Sequence, residues 1–529
     1  MNQSSKPSFY ITTPIYYPSG DLHIGTAYTT IAADVLARYR RLAGHDVHFL
    51  TGMDEHGQKI AQKAAEAGKH PQSHVDEVAV KVKGLWKKLG ITNDDFIQTT
   101  EQRHKTLAAK IFAKFVEQGD IYKGKYEGMY CTPCESYYTL NQLDTNGNCP
   151  DCSRPVAQIK EESYFFNMKK YADRLIKYYE NNPNFIMPPS RKTEMLTNFL
   201  QPGLMDLSVT RMTFDWGIKV PNDPDHVMYV WVDALTNYIT ALGYGSTDEQ
   251  LFNRYWPADV QIVGKDIIRF HTIYWPIFLM ALDLPLPKLI FGHGFIMTPS
   301  GKMSKSKGNV IQPEMLADKY GVDVLRYFLM REIPFGDDGV FSPVTFVQRI
   351  NADLANDLGN LLNRTISMIN KYFAGNLPSE IFGATTFDQS HEACFTATRM
   401  AVEANFEKLA FNVILTDIWT FISRTNKYID ETTPWALAKD PANQATLGAV
   451  MNRLATGLYR AAILICPFMP KTSEEIFTQL GLDKNVAWTG LDINPFTTMH
   501  KVTATPTPIF PRLDQDVEIE WITQAVKHG

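Results

Sequence analysis

Apolar positions along the chain change their period several times, and each change marks an element. Phe9 to Thr13 is an unbroken apolar and β-branched run, the pattern of a strand buried on both faces. After Pro18-Ser19-Gly20-Asp21-Leu22-His23-Ile24-Gly25-Thr26 the period turns helical over Ala27 to Ala43 and stops at Gly44. A second strand is predicted at Val47 to Thr51, and helical sequence then continues to about Gly119. The next segment carries scattered aromatic strand signals and turns such as Asn146-Gly147-Asn148, which reads as an inserted domain. Alternation of strand and helix resumes at Val227 to Trp231. It runs through a strand at Val260 to Val263, a helix over Ile267 to Leu282 and a strand at Leu289 to Phe291. From Val344 the period is helical, with amphipathic stretches near 344–373, 393–429, 444–465 and 470–480 and a proline-rich, extended tail at Thr503 to Leu513. The predicted division is an α/β domain with a doubly wound parallel sheet over 1–117 and 226–298, an insertion at 118–225, a linking segment at 299–343 and an all-helical domain at 344–529.

A chain of 529 residues is too long for one core, which agrees with several domains. Apolar content of 44% with 21% charged residues is ordinary for a soluble globular protein. The net charge of −5 singles out no nucleic-acid partner and leaves any such contact to local patches. Met-Asn-Gln-Ser-Ser-Lys lacks the apolar core of a secretory signal. The most apolar stretch, Ile273 to Leu286, is broken by Pro276, Asp283 and Pro285 and is short of the roughly 20 residues of a membrane helix. A cytoplasmic protein is expected.

Four of the six cysteines are spaced for metal. Cys131-Thr132-Pro133-Cys134 and Cys149-Pro150-Asp151-Cys152 form CxxC-x14-CxxC, two tight turns that each present two thiolates to one tetrahedral ion. With all four positions filled by protein, the expected zinc is structural. Disulfides fit poorly with a chain lacking a signal, and Cys394 and Cys466 stand apart in apolar helical sequence as small hydrophobes.

Gly301-Lys302-Met303-Ser304-Lys305-Ser306-Lys307-Gly308 concentrates ammonium groups and hydroxyls in a bend that glycines permit. That chemistry suits a polyphosphate whose charge grows as a bond breaks, although such a loop is more often a solvated turn. The strand-to-helix turn holding His23, Gly25 and Thr26 would place a nucleotide on the positive end of a helix. In the helical domain Ile350, Leu354, Leu358, Leu361, Leu362, Ile366 and Ile369 make one apolar stripe, and Asn360 and Arg364 fall on the opposite, polar face.

These paired motifs resemble those of class I aminoacyl-tRNA synthetases, and the order of domains resembles the methionyl branch of that family over essentially the whole chain. The resemblance implies a split Rossmann-like catalytic domain, a zinc-knuckle insertion, a stem-contact segment at 299–343 and an α-helical anticodon domain. It implies activation of L-methionine with ATP to methionyl-adenylate and pyrophosphate, then transfer to the 3′ end of tRNA(Met), initiator and elongator alike. His23, Lys302 and Lys305 would be catalytic. ATP would be bound by His23, Gly25, Thr26, Asp266, His293, Lys302 and Lys305, with Mg²⁺ sharing the phosphate charge. The family's motif is usually His-x-Gly-His, and Thr26 stands here in place of its second histidine. Methionine would meet Ile15, Tyr17, Asp54, Trp231, Ala234, Leu235, Tyr238, Ile267 and His271, with Asp54 on the ammonium group. Asn360, Arg364 and Trp435 would read the anticodon, Trp435 by stacking. A monomer is expected, since no appended tRNA-binding or dimerisation domain follows Gly529. A cytidylyl-type nucleotidyltransferase would share the catalytic halves but not the insertion and helical domain; a non-catalytic relative has only Thr26 in its favour.

Overall fold

The computed structural model describes residues 6–18, 22–131, 136–138, 140, 143–150, 153–299, 301–303, 309–379 and 385–528. A six-stranded sheet organises the α/β part. Its strands β1 (Ser8–Tyr16), β2 (Asp46–Met53) and β3 (Asp95–Gln98) continue, in space, past β1 to two strands from much later in the chain. The intervening segment supplies β4 (Ile121–Cys131), β5 (Ser136–Tyr138), β6 (Ala157–Phe166), β7 (Ile186–Met187) and β8 (Leu207–Ser208). Three short strands follow, β9 (Thr210–Arg211), β10 (Lys219–Val220) and β11 (Asp223–Met228), and then β12 (Val260–Gly264) and β13 (Ile290–His293). The sheet order is β3-β2-β1-β12-β13-β7, parallel throughout, with Ile11 opposite Val260 and Ile15 opposite Gly52. Successive strands step outward in both directions from β1, so the switch point lies between β1 and β12, and a crevice opens at the carboxyl ends of these strands.

Helix α1 (Ile24–Leu42) connects β1 to β2. It carries Arg40 and Arg41 in its last turn, where cations suit the helix dipole, and it is buried along most of its length as a crossover between parallel strands must be. Helices α2 (Gln58–Glu66) and α3 (Pro71–Lys88) lead to β3, a four-residue strand absent from the sequence reading. Helix α4 (Gln102–Glu117) then enters the inserted segment, whose own sheet is β5-β4-β6-β8.

Two boundaries differ from expectation. The 118–225 segment is not wholly outside the main sheet, because Ile186 and Met187 pair with Ile290 and Phe291 at its edge. They arrive there through helix α5 (Lys169–Asn181) and lead into α6 (Pro189–Met195). Val227 to Trp231 is not a strand of the main sheet: β11 stops at Met228 in an antiparallel β10-β11-β9 sheet, and Val230 opens helix α7 (Val230–Thr240). A short apolar run fits a buried strand and a buried helix equally well.

After β13 come β14 (Ile296–Thr298), β15 (Gly301–Lys302) and β16 (Gly339–Val340), which form a small sheet in the order β15-β14-β16. The rest is mainly helical, with one short antiparallel pair of strands, Asn376–Leu377 against His500–Lys501. The stripe predicted from Ile350 to Ile369 is buried at every position, and its first ten residues, Ile350–Gly359, wind as a π-helix before Asn360–Phe373 returns to α. One buried side chain joins the two halves. Arg326, on the Val322–Glu332 helix, is 0% exposed and sits 2.7 Å from Asp34 of α1, itself 0% exposed. Its remaining N–H groups donate to the carbonyls of Phe468 (2.8 Å), Pro467 (2.9 Å) and Leu89 (3.3 Å).

Candidate active site

The two phosphate-type motifs, far apart in sequence, are neighbours in the crevice. The Ile24 amide donates to the Ile311 carbonyl at 2.9 Å, joining the start of α1 to the chain just after the lysine-rich loop. A β-carbon placed on Gly25 would lie 3.9 Å from the Met303 methyl. His23 caps α1: its Nδ1 accepts from the Gly25 amide at 3.0 Å, so a neutral ring carries its proton on Nε2. Thr26 is half-buried, its amide bonded to the His23 carbonyl at 2.9 Å. Lys305 lies outside the described residues, as does the Lys302 side chain.

His293, at the end of β13, is buried under α1. Its Nδ1 donates to the Gly294 carbonyl at 2.8 Å, and its Nε2 therefore accepts from Thr29 Oγ1 at 2.7 Å. Burial lowers its pKa and keeps it neutral. Both nitrogens are thus spent within the protein, and the geometry makes His293 a prop for the first turn of α1. Thr29 was not singled out from sequence; an interior helical threonine gives no signal. Asp266 is exposed and folds back over the end of β12, where a β-carbon on Gly264 would come within 2.5 Å of its Oδ1.

On the other side of β1, the residues expected to meet a side chain form one apolar wall. Leu235 and Tyr238 are buried in a core against which Ile15, Trp231 and Ile267 pack half-buried. Ala234 is buried beside them on α7. The Tyr238 hydroxyl donates to His271 Nε2 at 2.8 Å, while His271 Nδ1 donates to the Ile267 carbonyl at 3.0 Å. Burial pushes the His271 pKa down to about 4, which keeps the ring neutral and able to accept. Burial also drives the Tyr238 phenol far upward, and the nearby Tyr16 and Asp54 add to it. Asp54 is buried at the end of β2 with its amide bonded to the Tyr16 carbonyl at 3.0 Å. Trp231 stacks on Phe270 with ring centroids 3.6 Å apart. Phe270 was not foreseen, because helical spacing alone gives it no distinction from core. The Lys59 ammonium lies 5.5 Å from the centre of the Tyr17 ring.

Of the four spaced cysteines, Cys131 and Cys149 are buried in one small cluster with Tyr138, and Cys134 and Cys152 lie outside the described residues. The Cys149 carbonyl accepts from the Ser153 amide and the Cys149 amide donates to the Arg154 carbonyl, so the chain turns tightly around this residue. Two buried thiols converging at such a turn fit a metal knuckle. Among the described residues no group of three or more His, Cys, Asp or Glu is arranged to hold a metal ion.

In the helical domain Asn360 is exposed and Arg364 pairs with Asp430 at 3.0 Å. Asp430 lies on the Phe411–Thr432 helix, which ends at Thr433 in a left-handed conformation, and Trp435 follows with 45% of its surface exposed. No helix among the described residues is long and apolar enough to cross a membrane.

Known proteins resemble this chain over nearly its whole length. The model of the class I tRNA synthetases (M) matches residues 9–161 and 153–366, and that of the anticodon-binding domain of tRNA ligases matches 391–527. The methionine–tRNA ligase of Listeria monocytogenes is 57% identical over 537 residues, covering 99% of this chain and 80% of the relative. That of Bacillus subtilis is 56% identical over 527 residues, covering 97% and 79%. The solved Mycobacterium tuberculosis methionyl-tRNA synthetase in complex with methionyl-adenylate superposes with a TM-score of 0.92 at 40% identity, over 96% of this chain and 100% of that one. Its free form gives 0.86 at 37% identity, over 97% and 100%. With a Rossmann-like sheet, paired phosphate motifs and helical domain in one continuous match, the chain belongs to the methionyl-tRNA synthetase family of class I.

Proposed function

We propose that this methionine–tRNA ligase activates L-methionine with ATP in the crevice between β1 and β12, then passes the methionyl group to the 3′ end of initiator and elongator tRNA(Met). The observation that supports this placement is the junction of the two motifs, with the Ile24 amide bonded to Ile311 and Met303 beside Gly25. The methionine carboxylate attacks the α-phosphorus in line and pyrophosphate leaves, so the protein's task is to position the reactants and stabilise charge. His23 donates through Nε2, Thr26 offers a hydroxyl, and Lys302 and Lys305 follow the β- and γ-phosphates. Mg²⁺, bound with ATP, supplies further charge on those oxygens. Asp266 borders the nucleotide, and His293 serves it by holding α1. The thioether lies against Trp231, Leu235, Tyr238 and Ile267, flanked by Ile15, Tyr17, Ala234 and His271, while Asp54 takes the ammonium group. The methionyl-adenylate carried by the Mycobacterium tuberculosis neighbour is the intermediate this reaction forms.

Cys131, Cys134, Cys149 and Cys152 would hold one structural zinc, well apart in sequence from the reacting groups. Residues 299–343 would contact the tRNA stem, and Asn360, Arg364 and Trp435 would read its anticodon. The enzyme works in the cytoplasm. ATP–pyrophosphate exchange across twenty amino acids tests the reading: methionine alone should support it, and exchange driven equally by another amino acid would overturn it. Lys305→Ala should slow exchange by ~10²–10³-fold, the loss of a phosphate contact of ~3–4 kcal/mol, with methionine affinity unchanged.

A further inference from the structure

Beside the apolar wall runs a buried chain of polar groups that the site above does not use. Asp233, on α7, is 1% exposed and offers its two carboxylate oxygens to two imidazoles, His56 Nδ1 and His104 Nε2, each at 2.7 Å. His104 Nδ1 in turn meets Thr240 Oγ1 at 2.7 Å, and His104 is 0% exposed. Burial opposes the charge on Asp233, yet attraction to His56 and the hydrogen bonds from both rings outweigh it and hold the carboxyl well below the usual carboxylate range. An ionised carboxylate only accepts, so both rings donate to it. With the Nε2 proton of His104 committed there, a neutral His104 accepts at Nδ1 from the Thr240 hydroxyl. The one charge therefore fixes the direction of both imidazole bonds to Asp233.

The placement of these groups gives the network its meaning. Asp233 lies two residues after Trp231 and immediately before Ala234 and Leu235, whereas His56 lies two residues after Asp54. The Asp233–His56 bond thus ties the wall of the methionine pocket to the strand end that carries the ammonium-binding carboxylate. His104 belongs to α4, which lines no part of the proposed pocket, and pins Asp233 from behind. A buried ion pair is weak evidence for stability, since desolvation offsets most of its attraction; what a fully satisfied buried network does supply is a single arrangement. We propose that Asp233 and His104 are positioning residues for methionine recognition, setting the distance between Asp54 and the Trp231–Tyr238 face of α7. This rests on the reading that α7 lines the methionine pocket.

The test uses the full-length enzyme in ATP–pyrophosphate exchange, with methionine and ATP varied separately. His104→Leu removes the Nε2 donor, and His104→Gln keeps an N–H within reach of Asp233. His104→Leu should raise KM for methionine about tenfold or more and leave KM for ATP within about twofold, because only the ammonium-to-side-chain spacing is disturbed. His104→Gln should stay within about threefold of the parent for both substrates. Thr240→Val, which frees His104 Nδ1 and is nearly isosteric, should raise KM for methionine about threefold and stands in if His104→Leu fails to fold. A purely structural role would lower the active fraction, and hence kcat, with both KM values unmoved. That result would overturn the proposal, as would parallel rises in the two KM values or a His104→Gln enzyme as impaired as His104→Leu. Trp231→Ala separates the two readings. If it leaves KM for methionine unchanged, the pocket assignment falls; if it raises KM while His104→Leu and Thr240→Val do not, only the positioning role falls.

Discussion

Replacing Gly25 with alanine would separate what the His23–Thr26 turn does for the fold from what it does for the reaction. A β-carbon there would lie 2.9 Å from His23 Cε1 and 3.0 Å from its Nδ1, with the next neighbour, the Met303 methyl, at 3.9 Å. The imidazole must swing away, and nothing else need move. For the fold, the loss is the cap bond from the Gly25 amide, about 0.5–2 kcal/mol, offset by about 1 kcal/mol from a better helix former in the first turn of α1. For the reaction, the displaced ring no longer donates to the charge that develops on the phosphates. Loss of one such donor is worth ~2.7–4 kcal/mol, or ~10²–10³ in rate. Methionine-dependent ATP–pyrophosphate exchange should therefore fall by ~10²–10³-fold, while urea unfolding shifts by about 1 kcal/mol or less. Because both changes act through one ring, Gly25→Ala added to His23→Ala should cost almost nothing further. Exchange by Gly25→Ala within about threefold of the parent, or a loss that adds in full to that of His23→Ala, would refute the reasoning.

Trp435→Ala should weaken tRNA charging about 5- to 150-fold, the value of one base stacked on an aromatic ring, and leave methionine-dependent exchange unchanged; equal losses in both assays would make Trp435 a core residue instead. Purified without chelator, the protein should contain one zinc per chain, and Cys149→Ser should lose it and loosen the segment around Cys131 while slowing exchange less than charging. Thr26→His should be tolerated in exchange, whereas His23→Ala should cost about tenfold or more. His271 makes stability depend on pH. The folded chain keeps it neutral down to about 4, while the unfolded chain charges it near its ordinary value of 6.5. The unfolded state takes up this proton first, so stability falls as pH drops from about 6.5 towards 4, by ~3 kcal/mol in all. In urea titrations across that window the parent should lose ~3 kcal/mol more than His271→Gln; parallel curves would assign the acid loss elsewhere.

Much of this arrangement was legible because it is written locally. The β1 run, the α1 period and the helical-domain stripe each reveal themselves within a few turns of chain, and all are where their spacing puts them. β3 was not, because Asp95-Phe96-Ile97-Gln98 offers only four residues and one fully buried side chain. The Gln515–His528 helix escaped for a related reason: its acidic first turn masks the spacing that buries Ile522. The motif residues around the crevice could be named, but their supports could not. Thr29 beneath His293, Phe270 beneath Trp231, and the meeting of His56, His104, Asp233 and Thr240 arise from pairings between distant segments. No local period records them.

Arg326 changes how the two ends of this enzyme should be thought of. Its guanidinium neutralises Asp34 in the middle of α1 and holds the Pro467–Phe468 turn of the helical domain by two backbone carbonyls. If the helical domain were cut away, the guanidinium would lose both of those acceptors. If Arg326 went with it, Asp34 would be left to Arg38 and Thr92 alone, and breaking a buried pair in this way costs about 3–5 kcal/mol. The helix that opens at His23 is therefore braced by the domain that meets the far end of the tRNA. The anticodon-reading part is less a module bolted to a self-sufficient catalyst than a wall the catalyst leans on. A substitution on one side of the seam around Arg326 must be matched on the other if Asp34 is to stay neutralised.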